Sequence, residues 1–148
     1  MNSPNTSSLL NRLLGITCRS FPQYLQYARP YVPGGRQEVL ETFDAIVADQ
    51  NRLAQRISQL VIDAQQLPRP GEFPMEFTDS HDLDIDFLVS AAISYQRQDI
   101  ESIGALAEQL QNSPAAKSLT EEALGMAKGH LDSLTELLDA TADATAAK

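Results

Sequence analysis

Apolar residues recur at helical spacing in four stretches of this chain. The first covers residues 9–28, and the second covers residues 37–66, a rod of about 45 Å if it is one helix. The third opens at residues 78–80, which are all good N-cap types, and reaches Leu110. The fourth follows Pro114, which suits the first turn of a helix. With no strand pattern in the sequence, this predicts an all-α protein of four amphipathic helices.

One face of each predicted helix carries the expected core, because residues three and four apart lie on the same side of a helix. Pro22 is expected to kink the first helix or to divide it. The apolar stripes are Leu10, Leu13, Leu14, Phe21, Tyr24, Leu25 and Ala28; Val39, Phe43, Ile46, Gln50, Leu53, Ile57, Leu60 and Ala64; Leu83, Phe87, Ala91, Tyr95, Ile103, Leu106 and Leu110; and Leu119, Ala123, Met126, His130, Leu134 and Leu137. His130 therefore falls on a buried face.

The second and third helices are separated by the aperiodic segment LPRPGEFPMEF, residues 67–77, which contains three prolines and a glycine. Eleven extended residues reach about 36 Å, close to the length of a bundle of such helices. The segment can therefore run back along the outside and leave the second and third helices parallel. This predicts a ferritin-like four-helix bundle with a long crossover between helices 2 and 3.

Length and charge narrow the function classes. The 148 residues fit one domain, residues 1–148, with an Ala/Thr-rich tail at about residues 140–148 that is expected to fray. A net charge of −9 argues against a nucleic-acid partner, and no stretch approaches the roughly 20 apolar residues of a membrane span. A single cysteine, Cys18, and the lack of a signal-peptide pattern make the cytoplasm the expected location.

Four short segments resemble bacterioferritins. LNRLLG (residues 10–15) and QYLQYAR (23–29) look like that family's first helix, ADQNRLAQRISQLV (48–61) like its second-helix metal motif, and GHLDSLTELL (129–138) like the end of its fourth helix. Their order and spacing are more specific than any one segment. The resemblance implies a ferritin-like fold, paired subunits in a cage, a di-iron site inside each bundle that oxidises ferrous iron, and haem between subunits.

Two carboxylates that such a di-iron site takes from its helices are missing here. By the resemblance, the first-helix glutamate matches Thr17, and residues 1–37 contain no Asp or Glu that a shift of register could supply. The third-helix carboxylate falls near Ile93 or Ser94, and no acid lies between Asp86 and Asp99.

The two Glu-x-x-His motifs that the resemblance implies are altered. The second helix has Asp49-x-x-Arg52, and the fourth has Ala127-x-x-His130. A guanidinium stays protonated and has no free lone pair, so Arg52 cannot bind a metal. Asp49 and His130 remain as vestigial metal-ligand candidates.

No catalytic or cofactor-binding residue is predicted. Gln50 matches the methionine that binds haem in the family, so haem is not expected, whereas iron stays possible. Tyr24 matches a tyrosine beside the family's site, which indicates a pocket that keeps its shape. The sequence predicts a non-catalytic, bacterioferritin-like scaffold that forms a homodimer. It does not decide whether such dimers assemble into a cage. The alternatives are an iron-binding or iron-storage protein with a reduced metal site, and a small-molecule pocket inside the bundle.

Arg52 has two arrangements compatible with the sequence. In the first, it takes over the electrostatic role of the metal, pairs with Asp49 in the interior and leaves His130 neutral, hydrogen-bonded to Thr17 or Tyr24. Such a buried pair carries a desolvation cost. In the second, Arg52 reaches solvent along its apolar stem. For His130 itself, the alternatives are a core histidine whose hydrogen bonds are satisfied within the protein and a working metal ligand.

The run HDLDIDF, residues 81–87, is typical of acids in the first turns of a helix, where the helix dipole favours them. The alternative is a surface metal held by His81, Glu76 and Asp79.

An aromatic group at the end of the first helix exceeds what one helix face can bury; its members are Phe21, Tyr24, Tyr27 and Tyr31. Part of it is expected to meet a second subunit or to pack against the proline-rich segment.

Overall fold

A computed structural model of the protein describes the backbone of residues 4–80 and 83–146, and the side chains within residues 5–80 and 83–139. Throughout that part of the chain the regular elements are helices, and no strand is found there. They are α1 (Pro4–Cys18), α2 (Phe21–Tyr27), α3 (Gln37–Asp63), a 3₁₀ helix (Met75–Ser80), α4 (Ile85–Gln109) and α5 (Pro114–Ala146). The all-α prediction is confirmed. None of the described helices has the length and apolar character needed to cross a membrane.

The first predicted helix is divided at Ser20. The Ser20 hydroxyl accepts a hydrogen bond from the Gln23 backbone N–H, and Pro22 lies in the first turn of α2, where its missing N–H costs nothing. Pro22 therefore divides the stretch into α1 and α2. The Ser20 hydroxyl also donates a hydrogen bond to the Gln50 side chain of α3.

The start of α4 differs from the prediction. Residues 78–80 belong to the 3₁₀ helix, and Asp84 is the N-cap of α4, with its carboxylate accepting from the Phe87 N–H at 3.0 Å. This confirms that Asp84 serves a helix start. His81 and Asp82 lie outside the described residues, and so does the predicted surface metal site that includes His81.

The buried face of α4 also differs from the predicted stripe. Phe87 and Leu83 are 64% and 43% exposed, and the buried side chains are Ile85, Leu88, Val89, Ala92, Ile93, Gln96, Ile103, Leu106 and Ala107. The two candidate faces compete at the N-terminal half of the helix. The face with more apolar residues, which continues into Ile103 and Leu106, is the one that packs against the other helices.

Helix directions follow from hydrogen bonds between elements. α1 and α2 both pack against α3, and the pairs Ser20–Gln50 and Arg29–Asp44 run in opposite senses along the chain, so this packing is antiparallel.

α5 packs most extensively against α4, to which a short connection joins it in antiparallel fashion. The pairs Arg56–Glu122 and Asp49–His130 make α3 antiparallel to α5 as well. α3 and α4 therefore run in the same direction, as the sequence predicts.

The connection between them lies along α1. The Asn11 side chain donates to the Leu67 carbonyl (3.2 Å) and accepts from the Arg69 N–H (2.7 Å), and Arg19 donates to the Gly71 carbonyl (2.8 Å). Successive residues of the connection thus meet successive turns of α1, which holds this non-helical segment in place.

The aromatic group has two buried and two exposed members. Phe21 and Tyr24 are buried against Phe77 of the connection, with ring centroids 5.1 and 5.7 Å away. Tyr27 and Tyr31 are 83% and 86% exposed. Internal packing is confirmed for the first two, and a partner for the exposed pair stays a prediction.

Apolar side chains form two clusters. One joins α1 to the C-terminal halves of α3 and α4 and the N-terminal part of α5. The other joins α2 to the opposite ends of the same helices. α5 runs to Ala146, through most of the tail whose fraying stays a prediction.

Gly15 lies where the connection approaches α1 most closely. A Cβ at this position would lie 3.0 Å from the carbonyl oxygen of Pro70, a backbone atom. A Cβ at Gly125 of α5 would meet nothing within 4 Å.

We expect Gly15→Ala to lower the free energy of unfolding by about 1 kcal/mol despite the higher helix propensity of alanine, because the connection has to move. Gly125→Ala, the matched control, should raise it by about 0.5–1 kcal/mol. Urea denaturation measures both. An equal gain from the two substitutions would mean that Pro70 does not pack on α1.

Candidate functional site

A layer of polar side chains lies between the two apolar clusters, at one level of the long helices. This polar layer consists of Thr17 on α1, Gln50 on α3, Gln96 and Asp99 on α4, and His130 on α5. Together with apolar neighbours, including Ala127, these side chains border a cavity of about 20 Å³. Such a space is about what a single water molecule needs.

The neutral members of the layer are hydrogen-bonded within the protein. Thr17 donates to the Leu13 carbonyl of its own helix at 2.8 Å. Ser20 donates to the Gln50 side-chain oxygen at 2.8 Å, and Gln96 donates to the Ala127 carbonyl at 2.9 Å. Because buried amides and hydroxyls are costly without partners, these bonds allow three polar side chains to sit between apolar clusters.

His130 connects the layer to the surface. It is 7% exposed, and its Nε2 lies 2.9 Å from Oδ2 of Asp49 on α3. An ionised carboxylate can only accept, so the proton of this bond sits on Nε2. Asp49 also pairs with Arg52 one turn further along α3. Arg52, Asp49 and His130 thus form a chain of contacts from solvent into the layer.

Arg52 does not take the place of a metal ion. Its side chain is 70% exposed and that of Asp49 is 36% exposed, so the predicted interior charge pair is wrong and the solvated arrangement is the observed one. The physical reason is the rotation of α3, which turns Gln50 to the inside and leaves Asp49 at the edge. The predicted bond from His130 to Thr17 or Tyr24 is likewise replaced by the bond to Asp49.

Of the residues predicted for the pocket, Thr17, Ala127 and His130 border the cavity, and Asp49 reaches it through His130. Tyr24 does not border it: its ring packs against Phe73 and Phe77 of the connection.

Asp99 is the member of the layer that the sequence reasoning missed. The bacterioferritin resemblance places the third-helix carboxylate at Ile93 or Ser94, six or five residues before Asp99. In the sequence, Asp99 only marks the end of a stretch without Asp or Glu. The signal was available, because Asp99 precedes Ile103 by four residues and Leu106 by seven, which places it on their face. Burial raises the pKa of its carboxyl to about 7.

The donor set differs from that of a di-iron centre. Thr17, Gln50 and Gln96 offer neutral groups that already have partners, and Ala127 offers none. Among the residues with described side chains, no three or more of His, Cys, Asp and Glu form a group that could hold a metal ion.

When the chain is compared with known proteins, no family model, no curated protein and no solved structure matches it significantly. The chemistry of the polar layer therefore rests on its own donors, acceptors and charges.

We expect Asp99→Asn to stabilise the protein progressively as the pH rises from about 4 to about 7. In this window the unfolded chain has released the Asp99 proton while the folded protein, with its pKa raised to about 7, still holds it. Raising the pH therefore favours unfolding of the parent chain only. Above pH 7 the gain is constant and amounts to a few kcal/mol at most, since one pKa unit corresponds to about 1.4 kcal/mol.

Urea denaturation across this pH range measures the gain. Asp132→Asn, on an exposed position of α5, is the control and should give a difference that does not vary in this way. A pH-independent effect of Asp99→Asn would show that Asp99 is solvated.

We expect Asp49→Ala and His130→Leu to be coupled by about 1 kcal/mol in a double-mutant cycle, because each removes the same partly exposed hydrogen bond. The cycle cancels the packing cost of changing His130. Arg52→Gln with His130→Leu is the control and should give coupling below about 0.5 kcal/mol. Equal coupling in the two cycles would contradict a direct Asp49–His130 bond.

Proposed function

We propose that this chain is a ferritin-like four-helix bundle, resembling bacterioferritin, in which α1 and α2 together serve as the first helix. The helix directions support it: α3 is antiparallel to α1–α2 and to α5, and α4 is antiparallel to α5. Parallel second and third helices with a long crossover between them are typical of ferritin-like bundles. The connection along α1 supplies such a crossover.

Within this bundle, the chain is a non-catalytic scaffold that has lost the ferroxidase centre. The observation that carries the proposal is the hydrogen bonding of the neutral members of the polar layer, Thr17, Gln50 and Gln96, to other protein groups. Two metal ions in such a site lie about 3.5–4 Å apart and need several carboxylates to balance their charge. The residues present do not fit that centre, and the remaining cavity of about 20 Å³ has room for about one water.

The scaffold acts as a cytoplasmic homodimer without haem. Tyr27 and Tyr31 support a second subunit, because two large aromatic side chains at the end of α2 and just after it are left mostly exposed. Gln50, which matches the haem methionine, is buried and bonded to Ser20, so it is not available to a cofactor between subunits. Sizing chromatography separates a dimer from a cage and from a monomer.

The proposal is tested by anaerobic titration with ferrous iron followed by oxygen, together with metal analysis of the protein as purified. We expect no absorbance rise stoichiometric with subunits, because the interior lacks the carboxylates that anchor a coupled iron pair. A stoichiometric rise that Asp49→Ala and His130→Leu abolish, and that the control Asp132→Asn leaves unchanged, would overturn the scaffold proposal.

A second candidate is an iron-binding protein with a reduced site. One arrangement favours it: the Asp49–His130 contact reaches the cavity that Asp99 also borders. Ferrous binding without oxidation, at one ion per chain and weakened by Asp99→Asn, would support this candidate. Iron binding that is indifferent to all three side chains would exclude it.

A further inference from the structure

Charge is distributed unevenly along this acidic chain. Residues 1–37 contain four arginines and no Asp or Glu, so the remaining residues hold seven of the eleven cations and all 20 acids. Of these four arginines, Arg12 lies on α1, Arg19 between α1 and α2, and Arg29 and Arg36 in the segment after α2.

A pocket of about 540 Å³ opens between the N-terminal half of α1 and the connection after α3. We call it the α1–linker pocket; its polar lining includes Ser7, Ser8, Asn11, Arg12 and Arg69, and no Asp or Glu takes part. Pockets of this volume are large enough for a small organic ligand. In a chain with net charge −9, a pocket whose charged lining residues are both cations is unusual.

Neither arginine of the pocket pairs with a carboxylate among the described residues. Arg29, Arg36 and Arg56 each pair with a carboxylate within 4 Å. Among the described side chains, no carboxylate oxygen comes that close to the guanidinium of Arg12 or Arg69. Each guanidinium can therefore bind oxygen atoms of a ligand, and the planar guanidinium fork matches the geometry of a phosphate group.

Arg69 is held in position by its backbone. Its N–H donates to the Asn11 side chain at 2.7 Å, and Asn11 donates in turn to the Leu67 carbonyl. Pro68 and Pro70 flank it and restrict the φ angles of the segment. The backbone at Arg69 is therefore held in place before a ligand arrives, which lowers part of the entropic cost of binding.

Ser7 supplies an independent sign of a ligand. It lines the pocket, it is only 3% exposed, and its hydroxyl oxygen has no hydrogen-bond partner. Buried hydroxyls nearly always have a partner, and this one has almost no exposed surface, so the Ser7 side chain has to rotate about χ1 to donate to a ligand in the pocket.

We propose that the α1–linker pocket binds a phosphate group, as inorganic phosphate or as the phosphate of a small phosphomonoester. The dianion pairs with Arg12 and Arg69 and accepts a hydrogen bond from the Ser7 hydroxyl. The remaining space, beside Leu67 and Pro70, takes the organic part of an ester. This site is separate from the polar layer and does not depend on the scaffold function.

The test is calorimetric titration of the full chain with inorganic phosphate and, separately, with glucose 6-phosphate at constant ionic strength. We expect saturable binding at one site, weakened about tenfold or more by Arg12→Gln and by Arg69→Gln, since each removes a charge-assisted hydrogen bond. Tighter binding of the ester assigns the site to a phosphomonoester, and equal binding assigns it to free phosphate. No saturable binding of either probe overturns the proposal.

Two further variants guard against indirect effects. Arg97→Gln removes the same charge from an exposed position of α4 outside the pocket and should leave binding unchanged; if it weakens binding as much as Arg12→Gln, attraction is non-specific and the proposal fails. Ser7→Ala should weaken phosphate binding several-fold while leaving the melting temperature of the free protein equal or higher, because it removes an unsatisfied hydroxyl. Unchanged binding in a folded Ser7→Ala variant would also count against the proposed site.

Discussion

Polar groups that leave water need partners inside the protein, and in this chain several of them meet at one level between two apolar clusters. Thr17 bonds within its own helix, Gln96 bonds to the backbone of α5, and Gln50 depends on Ser20. The Ser20 hydroxyl both caps α2 and donates to Gln50, so the break between α1 and α2 also satisfies the interior of α3. The division between α1 and α2 and the hydrogen bonding of the polar layer therefore depend on the same serine, and together they form one arrangement.

That arrangement decides what chemistry the interior supports. Thr17 occupies the place where the bacterioferritin resemblance expects the first-helix carboxylate, and the neutral amides of Gln50 and Gln96 lie at the same level; all three are bonded to protein atoms. The remaining charge is at the edge, where Asp49 holds His130 and is itself held by Arg52. Asp99 is the exception, and its raised pKa of about 7 reflects how little the apolar surroundings favour a carboxylate there.

The connection between α3 and α4 links the fold to the second candidate site. By lying along α1 it joins two parallel helices, seals an aromatic cluster with Phe73 and Phe77, and brings Arg69 to the same pocket as Arg12. Gly15 permits this close approach, because any side chain there would meet the Pro70 carbonyl. One segment without regular structure therefore shapes both the bundle's outer surface and a cationic pocket on it.

The sequence by itself determined that the chain is helical, that Pro22 interrupts the first helical stretch, and that α3 and α4 run parallel, because periodicity, proline and linker length act locally. It also determined that no carboxylate from residues 1–37 enters the interior, since there is none to place.

Only the tertiary structure decided which of two apolar faces of α4 is buried, that Asp49 lies at the edge of the interior, and that Arg52 reaches solvent. A rotation of a helix by a fraction of a turn exchanges such neighbours, and spacing alone cannot measure it. The pKa of Asp99 belongs to the same class, because it depends on what other helices bring around the carboxyl.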